Sequence, residues 1–277
     1  MQDIRALGQA TLDRIRYVLT DIDDTVTTDG RLPAASYDAL ERLQSAGLAV
    51  IPITGRPAGW CDMIARFWPV DAVVGENGAF YFSYDRKALA MRRTYFASAA
   101  ERAQSRARLD EIRARVLSEV SGAAVASDQA YREADLAIDF CEDVPALSQG
   151  AIDRIVEIFH SAGAQAKVSS IHVNGWFGQY DKLSMTRVMM KEKFNTDLDA
   201  SRDSVAFTGD SPNDEPMFAY FPVSIGVANV RDALHRFKSL PAYITNTRGG
   251  EGFVEFADHL LASRSVKNTS QSKAAAR

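Results

Sequence analysis

Residues 17–25 read YVLTDIDDT, and the fold turns on that stretch. Tyr17–Ile22 is a short run rich in strand formers. It ends in three acids, Asp21, Asp23 and Asp24, crowded where a strand would run out. Downstream the chain alternates. Pro33 sits where a helix begins, Tyr37, Leu40 and Leu43 form its apolar stripe, and Gly47 is placed to stop it. Leu48–Ile53 is the next strand, with Pro52 near its end. A helix through Trp60, Ile64 and Phe67 is halted at Trp68-Pro69, and Asp71–Val74 is a third strand. The last hundred or so residues repeat the rhythm: helix near Leu183–Phe194, strand Ser204–Thr208, helix Asp214–Tyr220, strand Val223–Val227, helix Val230–Phe237, strand Ala242–Thr245, helix Phe253–Ala262. Such alternation predicts an α/β fold, a Rossmann-like parallel sheet covered on both faces, with ligands beyond the carboxyl ends of its strands.

The middle of the chain breaks this pattern. Ala97–Val120 reads as one long helix and Ala134–Phe140 alternates like a half-buried strand. Ala151–Ser161 puts Ile152, Ile155, Val156 and Phe159 on one helical face, and Gln165–Ser169 and Ile171–Asn174 are two short strands. We expect an α+β unit inserted at 85–180 into a core formed by 1–84 and 181–263. The polar stretch 264–277 is expected to be a disordered tail. Phe82–Lys87 and Phe177–Asp181 are the hinge candidates, with Gly175 and Gly178 beside the second.

Composition narrows the class. The chain has 277 residues, 46% of them hydrophobic and 25% charged, ample for a large core without disulfide staples. Its 32 Lys plus Arg and 36 Asp plus Glu give a net charge of -4, which argues against nucleic acid as partner. The N-terminal sequence has no apolar run, so neither a signal peptide nor a membrane span is expected. Cys61 and Cys141 show no metal spacing and read as buried thiols in a reducing, cytoplasmic setting.

Chemistry is concentrated where strands should end. Asp21 and Asp23 flank Ile22, and if the chain turns just after Asp21 both carboxylates can face one cavity. Asp210 and Asp214 belong to a second acidic cluster, GDSPND over 209–214. Acids converging in one cleft repel unless a cation sits among them, and hard oxygen donors favour Mg²⁺. Thr54-Gly55-Arg56 supplies a hydroxyl, a close backbone approach and a helix start, and Lys182 adds a positive charge. That set suits a phosphoryl group. One carboxylate can act as a covalent nucleophile, and a second two residues on can protonate the leaving oxygen and then activate water.

The motifs DIDDT, TGR, Lys182 and GDSPNDEPM, in this order, resemble those of the haloacid dehalogenase superfamily. The insertion between the second and third motifs, and the GENGA segment at 75–79, resemble the subclass with an α+β type-2 cap, which includes sugar phosphatases and phosphomannomutases. The resemblance covers about residues 17–262. It implies Asp21 as nucleophile and metal ligand, and Asp23 as general acid/base with its carbonyl on the metal. It implies Thr54, with Gly55, and Lys182 on the phosphoryl oxygens, Asp210 on Mg²⁺, and Asp214 on the metal through water or orienting Lys182. Asp24 fills a variable position. Substrate contacts are expected from Arg56, Asn77, Arg132, His172, Asn174 and Trp176; an aromatic face with polar neighbours suits a sugar ring.

The resulting expectation is an Mg²⁺-dependent phosphatase hydrolysing a small phosphorylated metabolite, a sugar phosphate in first place, through an aspartyl-phosphate. A phosphomutase shares the motifs, and a non-catalytic phospho-acceptor regulator shares the acids and the lysine. Dehalogenases need no Asp23. Steady phosphate release from an aryl ester separates enzyme from regulator. The sequence gives no oligomeric state.

Overall fold

The computed structural model describes residues 1–169 and 171–275, those after 264 as helix backbone only. The tail expected over 264–277 therefore lies almost wholly outside the residues described in full. The chain forms two compact units. One comprises Met1–Ile53, Phe67–Ala72 and Met190–Arg277; the other comprises Thr54–Arg66 and Val73–Met189.

The first unit is built on a six-stranded, all-parallel sheet. Its spatial order is Gln2–Asp3, Tyr243–Ile244, Val223–Gly226, Val205–Gly209, Tyr17–Thr20, Ala49–Pro52. Tyr17–Thr20 pairs with Val205–Thr208 on one side and Ala49–Pro52 on the other. From this strand the chain goes first to one neighbour and much later to the other. The order therefore reverses at the ends of Tyr17–Thr20 and Val205–Gly209, the kind of crevice where open α/β sheets take ligands. Val18, Leu19, Val50, Ile51, Ala206, Phe207 and Ile225 are fully or almost fully buried, as the near-continuous apolar runs of a sheet covered on both faces require. The helix Ala34–Ser45 ends as its sequence predicts. Gly47 takes φ +78°, and its N–H and that of Leu48 close back on Gln44 and Leu43. Arg42 ties this helix to Asp258 on the helix Gly249–Ala275 at 2.7 Å.

Several local expectations change. Asp71–Val74 does not add a strand to the parallel sheet: Val73–Gly75 pairs antiparallel with Phe80–Asp85, which pairs with Ala90–Tyr95. Phe82–Asp85, two-thirds of the first hinge candidate, is thus paired strand. The segment 228–236 is a run of 3₁₀ turns rather than an α-helix, broken at Ala233. Gln2–Asp3, too short for any periodicity, pairs with Tyr243–Ile244. Cys61 is buried, but Cys141 is only half-buried.

The second unit holds the expected insertion together with the segments around it. A four-stranded antiparallel sheet runs in the order Ala124–Val125, Leu136–Asp139, His172–Trp176, Gln165–Val168. The helices Ala99–Glu119 and Gln149–Ser161 supply Leu109, Ile112, Val116, Ile155, Ile158 and Phe159 to a core shared with Leu136, Ile138 and Val173 of the sheet. A capping box of Ser98 and Glu101 starts the first helix. Gly175 permits the second to approach: a Cβ there would sit 2.1 Å from the Phe159 ring.

Candidate active site

In the first unit the acids are placed by strand ends. The Asp21 N–H donates to Thr208 O at 2.8 Å, which carries the ladder one residue past Thr20. Thr208 Oγ1 donates to Thr20 Oγ1 at 2.7 Å, and Thr20 Oγ1 donates to Asp21 O at 2.8 Å. The chain then turns sharply. Ile22 O accepts from the N–H groups of Thr25, Val26 and Thr27, and Asp24 takes φ 54°. This turn brings Thr25 Oγ1 to within 3.2 Å of Asp210 Oδ1, to which it donates. Asp214 Oδ2 accepts from the N–H groups of Asp210 and Ser211 at 3.1 and 3.3 Å. Residue 209 is glycine for a steric reason, because a Cβ there would lie 2.5 Å from Asp214 Oδ2.

The outcome is that Asp21, Asp210 and Asp214, all buried, bring a carboxylate oxygen each to within 4.8 Å of one another. Three carboxylates at that separation repel one another unless a cation compensates. An all-oxygen donor set selects a hard ion, so the residues present fit Mg²⁺. Asp23 is half-buried and its carboxylate lies outside this trio; the metal contact expected of Asp23 was through its carbonyl.

In the second unit the Thr54–Arg56 loop is held at every carbonyl. Thr54 O accepts from Asn77 N–H at 3.1 Å, Gly55 O from Arg132 Nη1 at 3.0 Å and Arg56 O from Glu76 N–H at 3.1 Å. The Arg56 N–H donates to Thr54 Oγ1 at 3.0 Å. The support is the Glu76–Gly78 turn, with three consecutive positive φ values of 43°, 54° and 109°. Asn77, expected to contact substrate, lies at the middle of this turn, and its Oδ1 is buried with no hydrogen-bond partner among the described residues. The other side of the turn meets the start of the helix Lys182–Phe194: a Cβ on Gly78 would sit 2.1 Å from Asp181 O and 3.0 Å from Lys182 N. Lys182 is buried. The loop carrying Thr54 and Gly55 and the helix carrying Lys182 therefore pack on one turn.

Sequence reasoning passed over Glu76. Its carboxylate is fully buried and accepts four backbone N–H groups: Ala58 at 3.0 Å, Glu133 at 2.9 Å, Ala134 at 2.6 Å and Asp135 at 3.1 Å. Burial, with the Asp135 charge nearby, pushes its carboxyl up to about 7 against the pull of Arg132 and these donors. The signal was present in GENGA, where an acid between two glycines sits in a turn flanked by apolar strands. Arg132 lies in the same cluster, donating to both oxygens of Asp128 at 2.9 and 3.1 Å and to Asp135 at 3.1 Å. Asn174 Nδ2 donates to Asp135 Oδ2 at 3.1 Å.

The other residues expected to touch substrate are also buried. Both Nη atoms of Arg56 donate to Glu142 Oε1 at 3.2 Å, and its guanidinium lies 4.4 Å from the Trp60 ring centroid. His172 Nε2 is 2.9 Å from Glu142 Oε2. Trp176 is 2% exposed and stacks on Tyr180 at 5.6 Å, so its ring shows no open face.

Residues 18–118 match the model of the haloacid dehalogenase-like hydrolases. A phosphoglycolate phosphatase of Methanothrix thermoacetophila is 25% identical over 90% of this chain and 98% of its own. Among solved structures, the Thermoplasma acidophilum protein 0175 superposes with a TM-score of 0.67 at 19% identity, covering 89% of this chain and 98% of the other. The sucrose-phosphatase of Synechocystis does so with a TM-score of 0.59 at 16% identity, covering 88% and 97%. Over residues 18–118 the chain is thus similar to the haloacid dehalogenase-like hydrolases.

Proposed function

We propose that this protein is an Mg²⁺-dependent phosphatase acting on a small phosphate monoester through an aspartyl-phosphate. The observation that carries the reading is the buried trio of Asp21, Asp210 and Asp214 at the ends of adjacent parallel strands. The phosphatase names of the relatives support it. An Asp21 oxygen attacks phosphorus, and the ester oxygen leaves with a proton from Asp23. The Asp23 carboxylate then takes a proton from water, whose oxygen attacks phosphorus, releasing phosphate and restoring Asp21. Thr54, Gly55 and Lys182 hold the phosphoryl oxygens throughout. Mg²⁺ held by Asp21, Asp210 and Asp214 with the Asp23 carbonyl would supply positive charge against which two anions can approach.

The choice of ester is finer. A sugar phosphate is the first expectation from sequence, yet Trp176, chosen as a sugar platform, is stacked and buried. The named relatives divide between a small phosphorylated acid and a disaccharide phosphate. Phosphate release from a panel of sugar phosphates, phosphorylated hydroxy acids and p-nitrophenyl phosphate tests the reading. Mg²⁺-dependent turnover of at least one is expected. No release from any of them, with Mg²⁺ saturating, contradicts it.

A further inference from the structure

Arg56 follows directly on the loop assigned to the phosphoryl group, and what its side chain grips is another residue's carboxylate. Arg56 and His172 converge on Glu142, the guanidinium on Oε1 and the imidazole on Oε2. The two receptors are buried, with 6% and 3% of their side chains exposed, whereas Glu142 is 30% exposed. Glu142 is thus the outermost of the three. The backbone beneath it is fixed independently: the N–H groups of Cys141, Glu142 and Asp143 donate to the Asp139 carboxylate at 2.9, 2.8 and 2.8 Å. The Glu142 side chain can therefore swing away without unravelling its loop.

Glu142 also fits the receptor poorly. Both Arg56 Nη atoms share one Glu142 oxygen, where a guanidinium pairs best with the two oxygens of a carboxylate side by side, and Nη1 also lies 3.7 Å from Asp128 Oδ2. His172 Nε2 is close to Oε2 but not aligned for a hydrogen bond, and it has no other partner among the described residues. A mobile carboxylate can approach His172 Nε2 in the alignment that Glu142 lacks while still facing the Arg56 guanidinium. We propose that Arg56 and His172 form a carboxylate subsite, occupied by Glu142 in the free protein, and that the substrate is a phosphate monoester whose leaving group carries a carboxylate that displaces Glu142. The claim rests on the phosphatase reading and selects among its substrates. Because Arg56 adjoins Gly55, phosphate and carboxylate must lie a short distance apart, which favours a small phosphorylated hydroxy acid over a long one.

The two partners of the subsite should respond in opposite directions. Affinities of 2-phosphoglycolate and of glycerol 1-phosphate, which lacks the carboxylate, are measured by calorimetry with Mg²⁺ in an Asp21→Asn background, where no turnover intervenes. The quantity read is the preference for the acid. An occupant that fills the subsite nine-tenths of the time weakens a competing ligand by about tenfold. Glu142→Gln should therefore raise the preference by about that factor. His172→Gln should lower it. A damaged fold cannot imitate the Glu142→Gln result, since misfolding does not tighten binding of one ester over another. An unchanged or lowered preference in Glu142→Gln, or an unchanged or raised one in His172→Gln, overturns the subsite. Failure of the phosphatase reading would show separately, as wild-type protein that binds esters and hydrolyses none.

Discussion

At the scale of single residues, two acids two positions apart have separate tasks in the proposed reaction. Asp21 is to attack phosphorus, and an amide cannot do so. Asp23→Asn retains the nucleophile but loses the proton carrier, so turnover should fall by about 10²–10⁴. Phospho-enzyme should build up in that variant, read by peptide mass mapping over Asp21. Glu142 gives a prediction about pH. The His172 contact, followed by Arg56 and opposed by burial, holds its carboxyl down at about 2. A carboxyl lower in the folded than in the unfolded chain adds stability that is complete above the unfolded value and is lost as pH falls towards the folded one. Between pH 5 and 3, wild-type protein should lose more resistance to urea than Glu142→Gln does; parallel losses would mean that the contact contributes nothing.

At the scale of elements, the Glu76–Gly78 turn is the joint on which the Thr54–Arg56 loop and the start of the Lys182 helix rest. Glu76→Ala strands four N–H donors, three of them buried. With about 1–3 kcal/mol for each unsatisfied group, discounted for relaxation, a loss of at least about 3 kcal/mol in urea unfolding is expected. A loss below about 1 kcal/mol would show that the cluster is replaceable. Gly78→Ala combines strain at φ +109° with an overlap on the Asp181 carbonyl. If the protein folds, Lys182 should shift and KM for any phosphate ester should rise by about tenfold or more, whereas the Mg²⁺ concentration for half-activity should hold. The sequence showed the strand–helix alternation because apolar runs and helix stops are local signals. It did not show that Val73–Gly75 leaves the parallel sheet for an antiparallel hairpin, since ladder partners are set by tertiary pairing. Nor did it show Glu76, whose role exists only when Ala58 and residues 133–135 are folded around it.

At the scale of the whole molecule, four short motifs distributed from Asp21 to Asp214 make up one chemical proposal. Motif order was readable because each motif sits at a strand end or helix start with its own local grammar. The carboxylates of Asp21, Asp210 and Asp214 lie within 4.8 Å of one another. Substrate contacts were harder to read, since Arg132 and Asn174 turn out to serve a buried network around Asp135, and no spacing rule distinguishes that from a binding role. Among the described residues, no helix is long and apolar enough to cross a membrane. Chelation should abolish phosphate release and Mg²⁺ should restore it, while Ca²⁺, with its larger and looser shell, should inhibit. Full activity in excess chelator would remove the metal from the account.

The central claim is that Asp21 is the nucleophile of an Mg²⁺-dependent phosphatase. Its most direct test is steady-state phosphate release from p-nitrophenyl phosphate by wild-type protein and Asp21→Asn at saturating Mg²⁺, with the asparagine verified intact by mass. The account predicts steady turnover by the wild type and a fall of at least about 10³-fold in the variant; comparable rates from the two proteins would contradict it.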